Sequence, residues 1–160
     1  MTKISKKTAL SINTVTYFSI IIAYTKAIVK NEPNGDKHMN TKFYICKHCG
    51  NIITFAKASG APISCCGEAM TELIANTTEA AAEKHIPVVK RDGNKVTVHI
   101  GEIDHPMTPE HYIEWIALDT EDTLILKKRT PTDPPQGEFL VEKDKEITAY
   151  AYCNIHSLWK

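Results

Sequence analysis

The chain of 160 residues closes on Ala151-Tyr-Cys153-Asn-Ile-His156-Ser-Leu-Trp-Lys160, where one thiol and one imidazole stand three residues apart at the end of an apolar alternating stretch. At that spacing a single turn aims both side chains at one atom. Neither fills a metal's coordination shell alone, so partners must come from far back in the sequence. The candidates are His85, His105 and His111. Four imidazoles with one thiolate make an iron site rather than a zinc site. Structural zinc takes four ligands in a closed tetrahedron, whereas imidazole with soft thiolate at higher coordination suits redox iron.

The other four of the five cysteines fall close together, in Phe43-Tyr-Ile-Cys46-Lys-His-Cys49-Gly50 and Ile63-Ser-Cys65-Cys66-Gly67. An odd count argues against a disulfide framework and for metal ligation in a reducing compartment, with the cytoplasm as the default. Cys46-x-x-Cys49-Gly is a metal knuckle, and the glycine permits the backbone turn that aims amide N–H groups at the sulfurs. Cys65 and Cys66 are adjacent, and neighbours on an extended strand point to opposite sides. Ligating one metal through both needs a bent backbone. His48, inside the knuckle, is expected to face solvent. A structural zinc ribbon is the alternative reading of this segment.

Residues 1–38 differ in style from the rest. Lys3, Lys6 and Lys7 precede the apolar patch Val15–Tyr24, which resembles a signal segment but is too short and interrupted for a membrane span. Three readings compete: a mistranslated start with Met39 the true first residue, a loosely docked extension, or a signal or anchor. The expected division is therefore 1–38 outside the fold, 39–75 the cysteine domain and 76–160 a second domain. Nineteen basic residues balance nineteen acidic ones, so nothing points to nucleic acid as a partner, and no polybasic cluster marks a membrane-surface binder.

The second domain reads as strands with regular turn signals and little helix, an all-β sandwich. Val96, Val98 and Ile100 share one face, which leaves Thr97 and His99 on the other and makes His99 a solvated residue rather than a ligand. Trp115 and Trp159 are expected as core and rim hydrophobes. Between His105 and His111 two prolines stiffen the loop and lower the entropy lost when both imidazoles are fixed on one ion. A rival triad of His105, Glu110 and His111 would suit a mononuclear iron oxygenase, but leaves Cys153, His156 and His85 idle.

From Met39 to Lys160 these motifs together resemble desulfoferrodoxin, the two-iron form of superoxide reductase. They are Cys46-x-x-Cys49 with Cys65-Cys66, Glu83-Lys84-His85-Ile-Pro87, His105-Pro-Met107, Glu110-His111-Tyr-Ile-Glu-Trp115 and Tyr152-Cys153-Asn-Ile-His156-Ser-Leu-Trp159. The resemblance implies a small desulforedoxin-like domain with iron on Cys46, Cys49, Cys65 and Cys66, followed by an immunoglobulin-like β-sandwich. There His85, His105, His111 and His156 would lie around a second iron, with Cys153 axial and one position left open. It further implies reduction of superoxide to hydrogen peroxide, a rubredoxin-like electron donor and a homodimer. Lys84 would supply positive charge at the mouth, and Glu83 would be placed to occupy the open position in the ferric resting state.

Overall fold

The computed structural model describes residues 41–160, so the readings of residues 1–38 lie outside it. Five short strands come first: β1 (Phe43–Ile45), β2 (Ile52–Thr54), β3 (Ser64–Cys65), β4 (Glu68–Ala69) and β5 (Thr71–Leu73). After one helical turn, α1 (Ala82–His85), come β6 (Pro87–Asp92), β7 (Lys95–Ile100), β8 (Ile113–Asp119), β9 (Leu124–Lys128), β10 (Gln136–Leu140), β11 (Thr148–Cys153) and β12 (Ser157–Trp159). The described residues are nearly all β, as the strand signals predict, and every ladder among them is antiparallel.

The sandwich consists of a sheet ordered β10-β7-β6 facing one ordered β12-β11-β8-β9. Val96, Val98 and Ile100 are fully buried on β7, where they meet Ile116 and Leu118 of β8 and Ala149, Ala151 and Cys153 of β11. Strands β8 and β11 are apolar almost continuously because both of their faces are covered. Their alternate residues, Trp115, Ala117, Tyr150 and Tyr152, point the other way and receive Phe43, Ile45, Ile52 and Leu73 from the sheet β2-β1-β5, whose β1 leads directly into Cys46. Phe43 lies 4.9 Å from the Trp115 ring and 5.5 Å from that of Tyr150. The knuckle thus shares a core with the sandwich, and the described residues form one compact unit.

One irregularity positions the site. Tyr152 pairs with Trp115, but the next residue, Cys153, pairs with Ile113, so Glu114 is an extra residue on β8. Such a bulge shifts the alternation by one. Ile113 is thereby returned to the same core as Cys153, and the segment before it is delivered to the thiol's side of the sheet. Two expectations change at the tail. Trp159 is buried rather than at the rim, and Ser157–Trp159 is a strand that the sequence reading leaves out.

Gly101 fixes the approach of α1 to the end of β7. Its φ is +85°, and a Cβ there would lie 2.7 Å from Lys84 Cα and 2.8 Å from Glu83 O, besides overlapping Ile103 O. The Gly101 N–H donates to Ile86 O and the Ile103 N–H to Glu83 O, which tie the same two segments together. Gly101→Ala should therefore destabilise the protein by about 2–4 kcal/mol, combining left-handed backbone strain with overpacking. A urea titration checks this, with a lower midpoint expected at an unchanged m-value.

Candidate metal centres

Two clusters of ligand-type side chains converge among the described residues: His85, His105, His111, Cys153 and His156 in one, and Cys46, Cys49, Cys65 and Cys66 in the other. Within each, one ligand atom per residue lies within 4.8 Å of all the others. All nine residues expected as ligands fall into these two groups. Glu110 belongs to neither and is exposed, so the rival triad does not assemble. His48 is exposed, as expected. His99 also stays outside both clusters, although its imidazole is partly covered, with Nδ1 2.9 Å from Gly101 O and Nε2 3.3 Å from Asp104.

In the first cluster the imidazoles form a closed ring. Neighbouring centroids are 4.7 Å apart for His85–His105, 4.6 Å for His105–His111, 4.8 Å for His111–His156 and 4.7 Å for His85–His156, with interplanar angles of 79–89°. His85 and His111 stand across the ring at 6.0 Å. Each ring has one nitrogen free to face inward. His85 Nδ1 lies 2.7 Å from Ala81 O and His105 Nδ1 lies 2.6 Å from Pro106 O, so both turn Nε2 to the centre. His156 turns Nδ1 inward, 2.9 Å from His85 Nε2 and 3.6 Å from Cys153 Sγ.

The fit to a cation rests on unmatched atoms. His105 Nε2 and His111 Nε2 are buried and have no hydrogen-bond partner, a costly state for a polar atom unless something binds its lone pair. Burial pushes the His105 imidazole down to about 4 and lowers His85 and His111 as well, which keeps their nitrogens unprotonated and available. Nearby Lys84 adds to the lowering at both His85 and His111. Burial raises the Cys153 thiol, opposed by backbone N–H groups of Ile155 and His156 that favour its thiolate. A three-residue hairpin loop between paired Cys153 and Ser157 holds this geometry, with Ser157 left-handed at φ +64°. Trp159 stacks on His85 at 4.7 Å and donates from Nε1 to His156 O, a support that nothing in the spacing announces.

The second cluster answers how adjacent cysteines reach one centre. Cys65 pairs with Glu68, leaving Cys66-Gly67 as a two-residue hairpin turn with φ of +53° and +84°. Two positive φ values mark a type I′ turn, which folds the second sulfur back over the strand. Cys65 Sγ then lies 3.6 Å from Cys49 Sγ and 3.8 Å from Cys66 Sγ, and Asn51 Nδ2 donates to it at 3.7 Å. The four thiols do not ionise alike. The Cys49 N–H lowers Cys46 to about 7, whereas thiol contacts with Cys49 and then Cys65 raise Cys66 to about 12. Four thiolates at this spacing repel, so the set suits a bound cation.

Glu83 and Lys84 are exposed on α1, immediately before His85. Among the described residues no helix is long and apolar enough to cross a membrane.

Comparison with known proteins agrees with this arrangement. A family model for desulfoferrodoxin matches residues 77–160. A desulfoferrodoxin of Clostridium acetobutylicum is 44% identical over 117 residues, 73% of this chain and 92% of the relative. A desulfoferrodoxin homologue of Archaeoglobus fulgidus is 44% identical over 117 residues, 73% and 93% of the respective chains. The crystal structure of the superoxide reductase from Treponema pallidum superposes with a TM-score of 0.62 at 34% identity, over 74% of this chain and 96% of that one.

The His105 shift has a direct consequence for the metal-free protein. Its folded imidazole titrates near 4 against an ordinary 6.5, so between those values the unfolded chain takes up a proton that the folded chain refuses. Stability from this residue is present above the ordinary value and falls as pH drops through that window. Denaturation midpoints of metal-free protein from pH 7 to 4.5 should fall, and H105Q should show a shallower fall than the parent.

Proposed function

Because the chain belongs to the desulfoferrodoxin family, we propose that it is a superoxide reductase, converting superoxide with one electron and two protons to hydrogen peroxide without releasing dioxygen. The observation that carries this reading is the ring of four imidazoles with a buried thiol beside it, two of whose nitrogens have no partner. His85, His105, His111, His156 and Cys153 would hold a ferrous ion, which supplies the reducing electron when bound. Cys46, Cys49, Cys65 and Cys66 would hold a second iron as an auxiliary electron-transfer centre.

The protein's own groups set the conditions for that chemistry. Neutral imidazoles leave the centre cationic, which suits an anionic substrate. The amides of Ile155 and His156 favour the thiolate of Cys153, whose electron-donating sulfur is the family of ligand that tunes iron reactivity. Lys84 places an ammonium group at the approach, where it draws superoxide in and can orient water to deliver protons to the product. Glu83, its neighbour, is the carboxylate available to close the site at rest. The division into a knuckle domain over 39–75 and a sandwich over 76–160 belongs to the same proposal, as do a homodimer and a rubredoxin-like donor. All five cysteines are free thiols, which suits a reducing compartment such as the cytoplasm.

Metal analysis of anaerobically purified protein, paired with product stoichiometry, tests the reading. About two irons per chain and peroxide without dioxygen are expected. Zinc in the knuckle would reduce that centre to a structural role, and dioxygen evolution would make the protein a dismutase instead. Lys84→Ala should slow the reaction with superoxide at least about tenfold at low salt, with the gap closing as salt screens the charge over about 8 Å at physiological strength. Stopped-flow rates at two ionic strengths, with the iron spectrum unchanged, measure it.

A further inference from the structure

Of the five residues in the buried cluster, His111 has the least secure footing. His85 ends a helical turn, and Cys153 and His156 sit on a hairpin between β11 and β12. The His105 N–H is bonded back to Ile100 O at the end of β7. His111 lies in the loop that leads into β8, and its own N–H donates to Thr108 O and Oγ1, three residues back. Those bonds shape the loop but do not place it against the other ligands.

The residue that places it is Asn154. Its side-chain Nδ2 donates to Glu110 O at 2.9 Å, and its Oδ1 accepts from the Tyr112 N–H at 2.9 Å. These two groups flank His111. The Asn154 N–H also donates to Tyr112 O at 3.1 Å. One amide side chain thus grips the main chain on both sides of a ligand, in the manner of a paired strand, from a residue 42–44 positions away. Asn154 itself stands directly after Cys153 and two residues before His156. The clamp therefore joins the loop of the fourth imidazole to the turn that carries the thiol.

We infer that Asn154 is a positioning residue for the iron centre, holding His111 in register with Cys153 and His156. The inference rests on the superoxide reductase reading of that cluster. Asparagine alone combines the acceptor for Tyr112 N–H with the donor for Glu110 C=O at this length. Leucine or alanine would leave both groups unmet, and aspartate would set a carboxylate against the Glu110 carbonyl. Partners that orient a metal ligand without touching the metal change affinity by about 10–100-fold when removed.

The test is a double-mutant cycle in full-length protein, with ferrous iron added anaerobically against a competing chelator. Occupancy is read, after oxidation, from the thiolate-to-iron charge-transfer band of Cys153, and the knuckle's own absorption serves as the folding control. Asn154→Ala should weaken ferrous binding about 10–100-fold in the parent. In a His111→Ala background it should have less than about twofold effect, since the group it positions is gone. Should Asn154→Ala fail the folding control, Asn154→Asp, which keeps the Tyr112 bond and loses the Glu110 one, enters the same cycle, and its loss should likewise fall below about twofold in the His111→Ala background. Parent-like affinity in the variant, or an undiminished loss in the His111→Ala background, overturns the inference. Failure of the parent to bind iron at this cluster would instead overturn the functional reading.

Discussion

A nitrogen lone pair removed from water must be met by a proton, a hydrogen-bond donor or a metal, and this requirement organises the whole sandwich. His105 Nε2 and His111 Nε2 meet no donor, and burial disfavours the proton. An unmet buried polar atom costs about 1–3 kcal/mol, so two imidazole nitrogens turned to one point suit a cation as the missing partner. The ring of perpendicular imidazoles has the same logic. Two of them are turned by an outer contact, Ala81 O for His85 and Pro106 O for His105, so that the other nitrogen looks inward. Metal binding and fold stability are coupled through these atoms.

The knuckle meets a similar demand by other means. Its cost is conformational: Cys66 is held in the left-handed region, where a residue with a side chain loses about 1–3 kcal/mol. Only the convergence of four sulfurs explains a cysteine at the first position of a type I′ turn, a place that asparagine or glycine fills more easily. The knuckle does not depend on its metal alone. Phe43, buried against Trp115 and Tyr150, gives the small sheet an apolar floor that so short a segment could not build for itself.

Much of this was legible in the sequence, and the reasons for the rest are physical. Alternation identifies the face of Val96, Val98 and Ile100, because a period of two survives in any window of a half-buried strand. Ligand identity was legible because cysteine and histidine are few, and the bend required at Cys65-Cys66 follows from strand geometry. The bulge at Glu114 was not, since it exists only in the pairing of β8 with β11, across residues that no local window joins. Asn154 and Trp159 were hidden for the same reason. Each acts on main-chain or ring atoms brought near by tertiary pairing, Trp159 on His85 and His156, Asn154 on the flanks of His111. Composition cannot distinguish a tryptophan at the rim from one stacked under a ligand.

The two centres differ most in exposure, and that difference assigns their labour under the proposed reading. In the knuckle Cys49 and Cys66 are exposed and only Cys46 is buried, so a protein carrier can bring its own centre close to the sulfurs. In the sandwich Cys153, His85 and His105 are buried, while His111 and His156 are partly covered. A centre enclosed in that way admits a small anion and excludes a protein. Under that reading an electron arriving on a large partner would be received where sulfur meets solvent, and spent where nitrogen and sulfur are closed in. Reversing the exposures would leave the reducing centre open to oxidants larger than superoxide and the receiving centre out of reach of its donor. The alternation of β11, which sends Tyr150 and Tyr152 to the knuckle and Cys153 to the sandwich core, is the physical basis for keeping both centres in one unit with opposite access.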